Sequence, residues 1–132
     1  MEEMREYQPK KNNPYWLPKA VYYQAVYAVR DYDRLRDEYN SILHESTGIS
    51  DGQPRGTKAG NPTENKVERL ADTHRKICAI DNALHLLPEE YRNGVFNNVR
   101  YQSPYPYIAG VATWSRQRRR FLFLVAKNLH LF

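Results

Sequence analysis

Thr113 to Phe132 reads TWSRQRRRFLFLVAKNLHLF, and the way this stretch folds decides what the chain can be. It carries Arg116, Arg118, Arg119, Arg120 and Lys127 and no Asp or Glu. Those five charges equal the formal net charge of +5, so the rest of the chain balances, with fifteen basic against fifteen acidic residues. Positive charge gathered into one segment is the footprint of a polyanion-binding element. At 100° per residue, Trp114, Gln117, Phe121, Leu124, Val125 and Asn128 fall on one face, with Leu129 at its edge. Ser115, Arg116, Arg119, Phe123 and Ala126 fall on the other, and Arg120 and Lys127 mark the boundary. The spacing predicts an amphipathic helix with Thr113 as N-cap, because its hydroxyl can accept from a free amide of the first turn. Arg118 is expected nearer the inner face, in a structural role. Crowding arginines toward the N-terminal half opposes the helix macrodipole, so stability alone does not account for them.

The segment before it is also helical by pattern. Pro88-Glu89-Glu90-Tyr91 places proline in the first turn and two acids at the positive end of the dipole. Tyr91, Val95, Phe96 and Val99 give that helix an inner face. Gly94 costs roughly 1 kcal/mol inside it, and close approach by another helix is the expected reason. Ser103-Pro-Tyr-Pro-Tyr107 cannot continue a helix. Helix, connector, basic helix is the order of a helix-turn-helix, although this connector exceeds the usual tight turn.

Farther upstream, Lys19 to Glu45 contains no Gly or Pro. Tyr22, Ala25, Val29, Tyr32, Arg36, Tyr39 and Leu43 keep 3-4 spacing, with Val26 and Ile42 alongside, which predicts one long helix. Thr47 to Pro62 holds four of the six glycines and two prolines and is expected to be a flexible loop. Thr63 opens a second long helix, with an apolar face of Val67, Leu70, Ala71, His74, Ile77, Cys78, Ile80, Ala83, Leu84 and Leu87, stopped by Pro88. Joined by the loop, the two should pair antiparallel. The expected class is therefore all-α: an extended arm over 1–18, a helical hairpin over 19–87 with its loop at 47–62, and a helix-turn-helix region over 88–132.

Composition narrows the function. With 132 residues the chain suits one domain, or one compact domain plus an arm. Cys78 is the one cysteine, so no intramolecular disulfide forms and a reducing, cytoplasmic setting is expected. No apolar run reaches membrane-spanning length, and the N-terminus lacks the apolar stretch of a signal peptide. A pI near 9.3 favours an acidic partner. Gly52 and Gly56 precede Thr57-Lys58 at the wrong spacing for a P-loop. His44, His74, His85 and His130 form no zinc pattern, so no metal or other cofactor is expected. His74 reads as a packed core residue and Cys78 as a structural thiol. Glu89 and Glu90 are explained by the helix start, and no nucleophile elbow occurs, so no catalytic residue is expected.

Several motifs in order resemble a known family. They are Asn13-Pro-Tyr-Trp-Leu-Pro18, Val29-Arg-Asp-Tyr-Asp33, Asp51-Gly-Gln-Pro-Arg-Gly56, Leu87-Pro-Glu-Glu-Tyr-Arg92, Tyr105-Pro106, Thr113-Trp-Ser-Arg-Gln-Arg-Arg-Arg-Phe121 and Val125-Ala-Lys-Asn-Leu129. Together they resemble the small prophage-encoded transcription activators of Gram-positive bacteria, the RinA and ArpU type. The resemblance implies an all-helical regulator of phage late genes whose C-terminal part is similar to the helix-turn-helix of sigma factor region four. On this sequence the recognition helix would run from Thr113 to Leu131 and its supporting helix from Pro88 to Tyr101. The chain departs from the pattern after Tyr105-Pro106, where Tyr107-Ile-Ala-Gly-Val stands in place of a polar or acidic pair.

The expected function is sequence-specific binding of double-stranded DNA in regulation of prophage transcription. Arg116, Arg119 and Arg120 would read or flank bases, Thr113 and Ser115 would reach a base edge or phosphate, and Lys127 would hold phosphate. One rival is a protein-interaction adaptor for RNA polymerase or a phage partner, with Phe123 exposed among the arginines as its contact. Another is an RNA-binding antiterminator. Homodimerisation through the hairpin seam and Phe123 is a further expectation.

Overall fold

The computed structural model describes residues 13–47 and 62–132. Residues 1–12 of the arm expected over 1–18, and residues 48–61 of the glycine/proline loop expected over 47–62, lie outside them. Among the described residues there are five helices and no strand. They are α1 (Lys19–Arg30), α2 (Tyr32–Thr47), α3 (Pro62–His85), α4 (Glu89–Tyr101) and α5 (Val111–Asn128). None is long and apolar enough to cross a membrane.

The single helix expected over Lys19–Glu45 is broken at Asp31. The Asp31 amide bonds to the carbonyls of Tyr27 and Ala28 and closes α1, while its own carbonyl accepts from Leu35 and opens α2. Its carboxylate is gripped at both oxygens by Arg34, at 2.6 and 2.7 Å. The seam shifts across this break. On α1 the buried line is Tyr22, Ala25, Val26 and Val29, whereas on α2 it is Leu35 and Ile42. Arg36 and Leu43, expected in the seam, are exposed.

Helices α2 and α3 run antiparallel, since the Tyr32 hydroxyl donates to Asp81 (2.8 Å) and Tyr39 lies against His74 (ring centroids 5.7 Å). The inner line of α3 is rotated from the one expected. Thr73 is buried, and Val67, Ala71 and His74 face solvent. His74 is therefore no core residue. Its Nε2 lies 3.4 Å from the Cys78 sulfur, one helical turn on.

The main core gathers α1, α4, α5 and the C-terminal part of α3 around Tyr22, Val26, Ile80, Val95, Val99, Trp114, Phe121 and Val125. The α1 seam is consumed inside the chain. Leu17, between Pro14 and Pro18, is buried in the same cluster and ties the entry segment down. Polar bonds fasten the helices from outside the core. Arg30 Nε donates to the Val99 carbonyl (3.0 Å), joining α1 to α4. Arg92 on α4 donates to the carbonyls of Leu87 (2.9 Å) and His85 (3.0 Å), capping the end of α3. Arg100 and Tyr101 both bond the Asp33 carboxylate, joining α4 to α2. The α4 helix starts at Glu89 behind Pro88 and ends at Tyr101, capped by Gln102 in the left-handed conformation (φ 59°).

Candidate nucleic-acid interface

From Tyr91 to Phe132 there is no Asp or Glu, against seven basic residues, and the fold sorts these seven into two groups. Arg92 caps α3, and Arg100 pairs with Asp33 at 2.7 Å. Arg118 is the third internal one. Its Nη1 donates to the Tyr22 hydroxyl (2.6 Å) and its Nε to Asn98 Oδ1 (3.0 Å), so it ties α5 to both α1 and α4. The structural role expected for Arg118 has this chemical basis. The other four, Arg116, Arg119, Arg120 and Lys127, are joined to no described residue by an ion pair or side-chain hydrogen bond.

Helix α5 is held rigidly enough to present them. Trp114 donates from Nε1 to the Pro106 carbonyl (3.1 Å), stacks flat on Tyr105 (5.0 Å, 4°) and takes the edge contact of Tyr91 (5.1 Å, 87°). Room for the indole exists because residue 94 has no side chain. At the far end Asn128 Nδ2 donates to the Ala79 carbonyl of α3 (3.0 Å). The helix closes with Leu131 N–H on Ala126 O and His130 N–H on Lys127 O, a Schellman arrangement with His130, at φ 59°, where glycine is usual.

Three expectations about α5 are corrected, its N-cap, its inner face and the exposure of Phe123. The N-cap is Gly110 rather than Thr113, in extended conformation (φ −79°, ψ 168°). The helix therefore begins at Val111, and Thr113 sits in its first turn with its amide on Gly110 O (3.1 Å). The inner face is also rotated. Leu122 and Ala126 are fully buried with Trp114, Phe121 and Val125, while Gln117, Leu124 and Asn128 are half-buried. Ala126, expected outside, is core.

This rotation brings Arg116, Arg120 and Lys127 to the centre of the outward face, with Arg116 and Lys127 exposed and Arg120 half-buried. Arg119 and Ser115 flank them, half-buried. Phe123 is not the exposed aromatic that was expected. Its ring packs between Tyr15 (5.5 Å) and Phe132 (5.3 Å) and leans on the core. No protein-family model, curated protein or solved structure matches the chain.

Two surface features escaped the sequence reading. Tyr107, Ile108 and Val111 stand exposed at the entry to α5, with Tyr107 wholly so at 104%. Lys127 also lines an open groove of about 510 Å³ with Arg75, Cys78, Asn82, His130 and Phe132, where the α3 cation, Arg75, is already paired with Asp72 at 3.1 Å. Among the described residues no three of His, Cys, Asp or Glu converge as a metal site would require.

Proposed function

We propose that the protein is a sequence-specific double-stranded-DNA-binding regulator of prophage transcription, with α4, the connector and α5 acting as a helix-turn-helix and α5 entering the major groove. The observation that carries this reading is the outward row of Arg116, Arg120 and Lys127, flanked by Arg119, on an anchored helix with no carboxylate partner among the described residues. An unpaired guanidinium keeps its donors for a ligand, and a planar fork suits both phosphate and the O6/N7 edge of guanine. The acid-free run from Tyr91 onward removes local repulsion against a polyanion. Trp114 and Arg118 fix the rod from behind, so little ordering is left to be done on binding. The transcriptional setting is drawn from the resemblance to phage late-gene activators, in which the same segment is the reading helix.

The test is a duplex titration of the full chain by fluorescence anisotropy at 50 and 200 mM salt. Four phosphate-neutralising cations give a slope near −3.6 in log affinity against log salt, a loss of roughly a hundredfold over that range. Absence of binding at 50 mM salt would refute the reading.

A further inference from the structure

We infer that the tip formed by Tyr107, Ile108 and Val111 is the specificity element of the interface, reading the C5-methyl groups of thymines. The inference rests on the DNA reading above and names what that surface recognises.

Ile108 is 60% exposed, Val111 is 74% exposed and Tyr107 is fully exposed. Three large apolar side chains thus stand in water within five residues, the densest such group among the described residues, where the other exposed ones are scattered along the chain. Their place on the helix matters. They lead into the N-terminal end of α5, the end that a recognition helix sets against base edges. Val111 precedes Arg116 by five residues, roughly 7–8 Å along the axis, or about two base-pair steps, and about 140° around it, so the tip flanks the cationic row rather than continuing it. In the major groove the one apolar feature is the thymine methyl, and aliphatic side chains are its ordinary partner. The tip is also preorganised. Pro106 is pinned through its carbonyl to Trp114, Tyr105 is stacked flat on the same indole, and Gly110 starts the helix directly after. A rigid apolar tip discriminates, where a loose one would merely adhere.

Charge decides between a nucleic acid and a protein as the occupant. The tip lies inside the acid-free segment, ahead of four cations without described partners, so the complementary surface is a polyanion carrying apolar points. Thymine-bearing duplex has that composition.

The experiment begins by selecting duplexes from a random 30-base-pair library with the full chain. The enriched duplex is then remade with deoxyuridine in place of thymidine, one position at a time, which removes the methyl and nothing else. At one or more positions the substitution should weaken binding about fourfold. In the Ile108→Ala or Val111→Ala protein that same substitution should have no further effect. Both side chains are exposed, so neither variant threatens folding. Equal binding of thymidine and deoxyuridine duplexes at every position overturns the inference and leaves DNA binding standing. Failure of any duplex to enrich overturns both. If Ile108→Ala and Val111→Ala keep full duplex affinity but lose binding to purified bacterial RNA polymerase, the tip belongs to a protein contact and the inference is overturned.

Discussion

A Cβ on Gly94 would lie 2.6 Å from two atoms of the Trp114 ring and 3.1 Å from Pro106 Cδ. The glycine is thus the socket for the indole that seats α5 on α4. Alanine there would gain about 1 kcal/mol of helix propensity. It would also push against a large ring that is bonded to Pro106 and stacked on Tyr105, and cannot swing aside. Overpacking of this kind costs about 1–3 kcal/mol. We expect Gly94→Ala to lose stability by about 1 kcal/mol net, with weaker duplex binding because α5 is displaced. Urea denaturation checks the first part. A more stable Gly94→Ala protein would mean that the indole is free to relocate.

The arginines of α5 should separate into two kinds by measurement. Arg118→Ala removes the donors to Tyr22 Oη and Asn98 Oδ1 from a half-buried site, a loss of about 2 kcal/mol. Arg116→Ala and Arg120→Ala touch no described partner, so stability should move by less than about 0.5 kcal/mol. Duplex binding should respond in the opposite pattern. Arg116→Ala or Arg120→Ala should cost about 1–3 kcal/mol at a cognate site if a base contact is lost, or reduce the salt slope by about one if phosphate is lost. Denaturation curves and anisotropy titrations on the same three variants would show it. Equal destabilisation by Arg116→Ala and Arg118→Ala would remove the distinction.

Much of this site could be read from local spacing, and the parts that could not were set by distant partners. Helix content, the stop before Pro88, the inward role of Arg118 and the tight approach at Gly94 all follow from a few neighbouring residues. The break at Asp31 does not, because neither glycine nor proline marks it. It comes at one residue, where ψ reaches 0° and the amide is shared between the Tyr27 and Ala28 carbonyls, and where the seam changes partner from the main core to α3. The rotation of α5 was likewise hidden. An arginine enters the inner face because Tyr22, 96 residues away, and Asn98, 20 residues away, receive it, and Leu122 and Ala126 turn inward beside it. Spacing places Arg118 toward the inside, but it does not show that Leu122 and Ala126 are drawn into the core with it. Phe123 was misplaced for the same reason, since its covers, Tyr15 and Phe132, come from the two ends of the described chain.

Tyr32 gives the protein an alkaline limit. Burial, followed by its hydrogen bond to the Asp81 carboxylate, pushes its hydroxyl up to about 12. An unfolded tyrosine ionises near 10. Between those values the unfolded chain has released a proton that the folded chain still holds, so stability is full below about pH 10 and falls as pH rises toward 12. The loss from this one group is on the order of 2 kcal/mol. Tyr105, raised by burial, and Tyr101, raised by its bond to Asp33, act in the same direction. Urea midpoints at pH 9 and pH 11.5 should therefore differ, and Tyr32→Phe should shrink the difference without abolishing it. An identical pH response in Tyr32→Phe would show that the hydroxyl is not held as described.

Gln117 is the place on α5 where a polar group is confined without described compensation. Its Oε1 is buried and accepts no hydrogen bond from the described residues. The position lies beside Phe121 on a helix whose neighbouring arginine, Arg118, has two partners. A buried acceptor left without a donor costs about 1–3 kcal/mol in lost hydration. Methionine matches glutamine closely in length and flexibility and carries no such penalty. Gln117→Met should raise the urea midpoint by an amount equivalent to about 1 kcal/mol, with an unchanged slope, because the surface exposed on unfolding stays the same. Since Gln117 stands off the outward row, duplex affinity should also be preserved. A fall in stability would show that the amide is compensated after all, and a loss of binding at constant stability would place Gln117 itself in the interface.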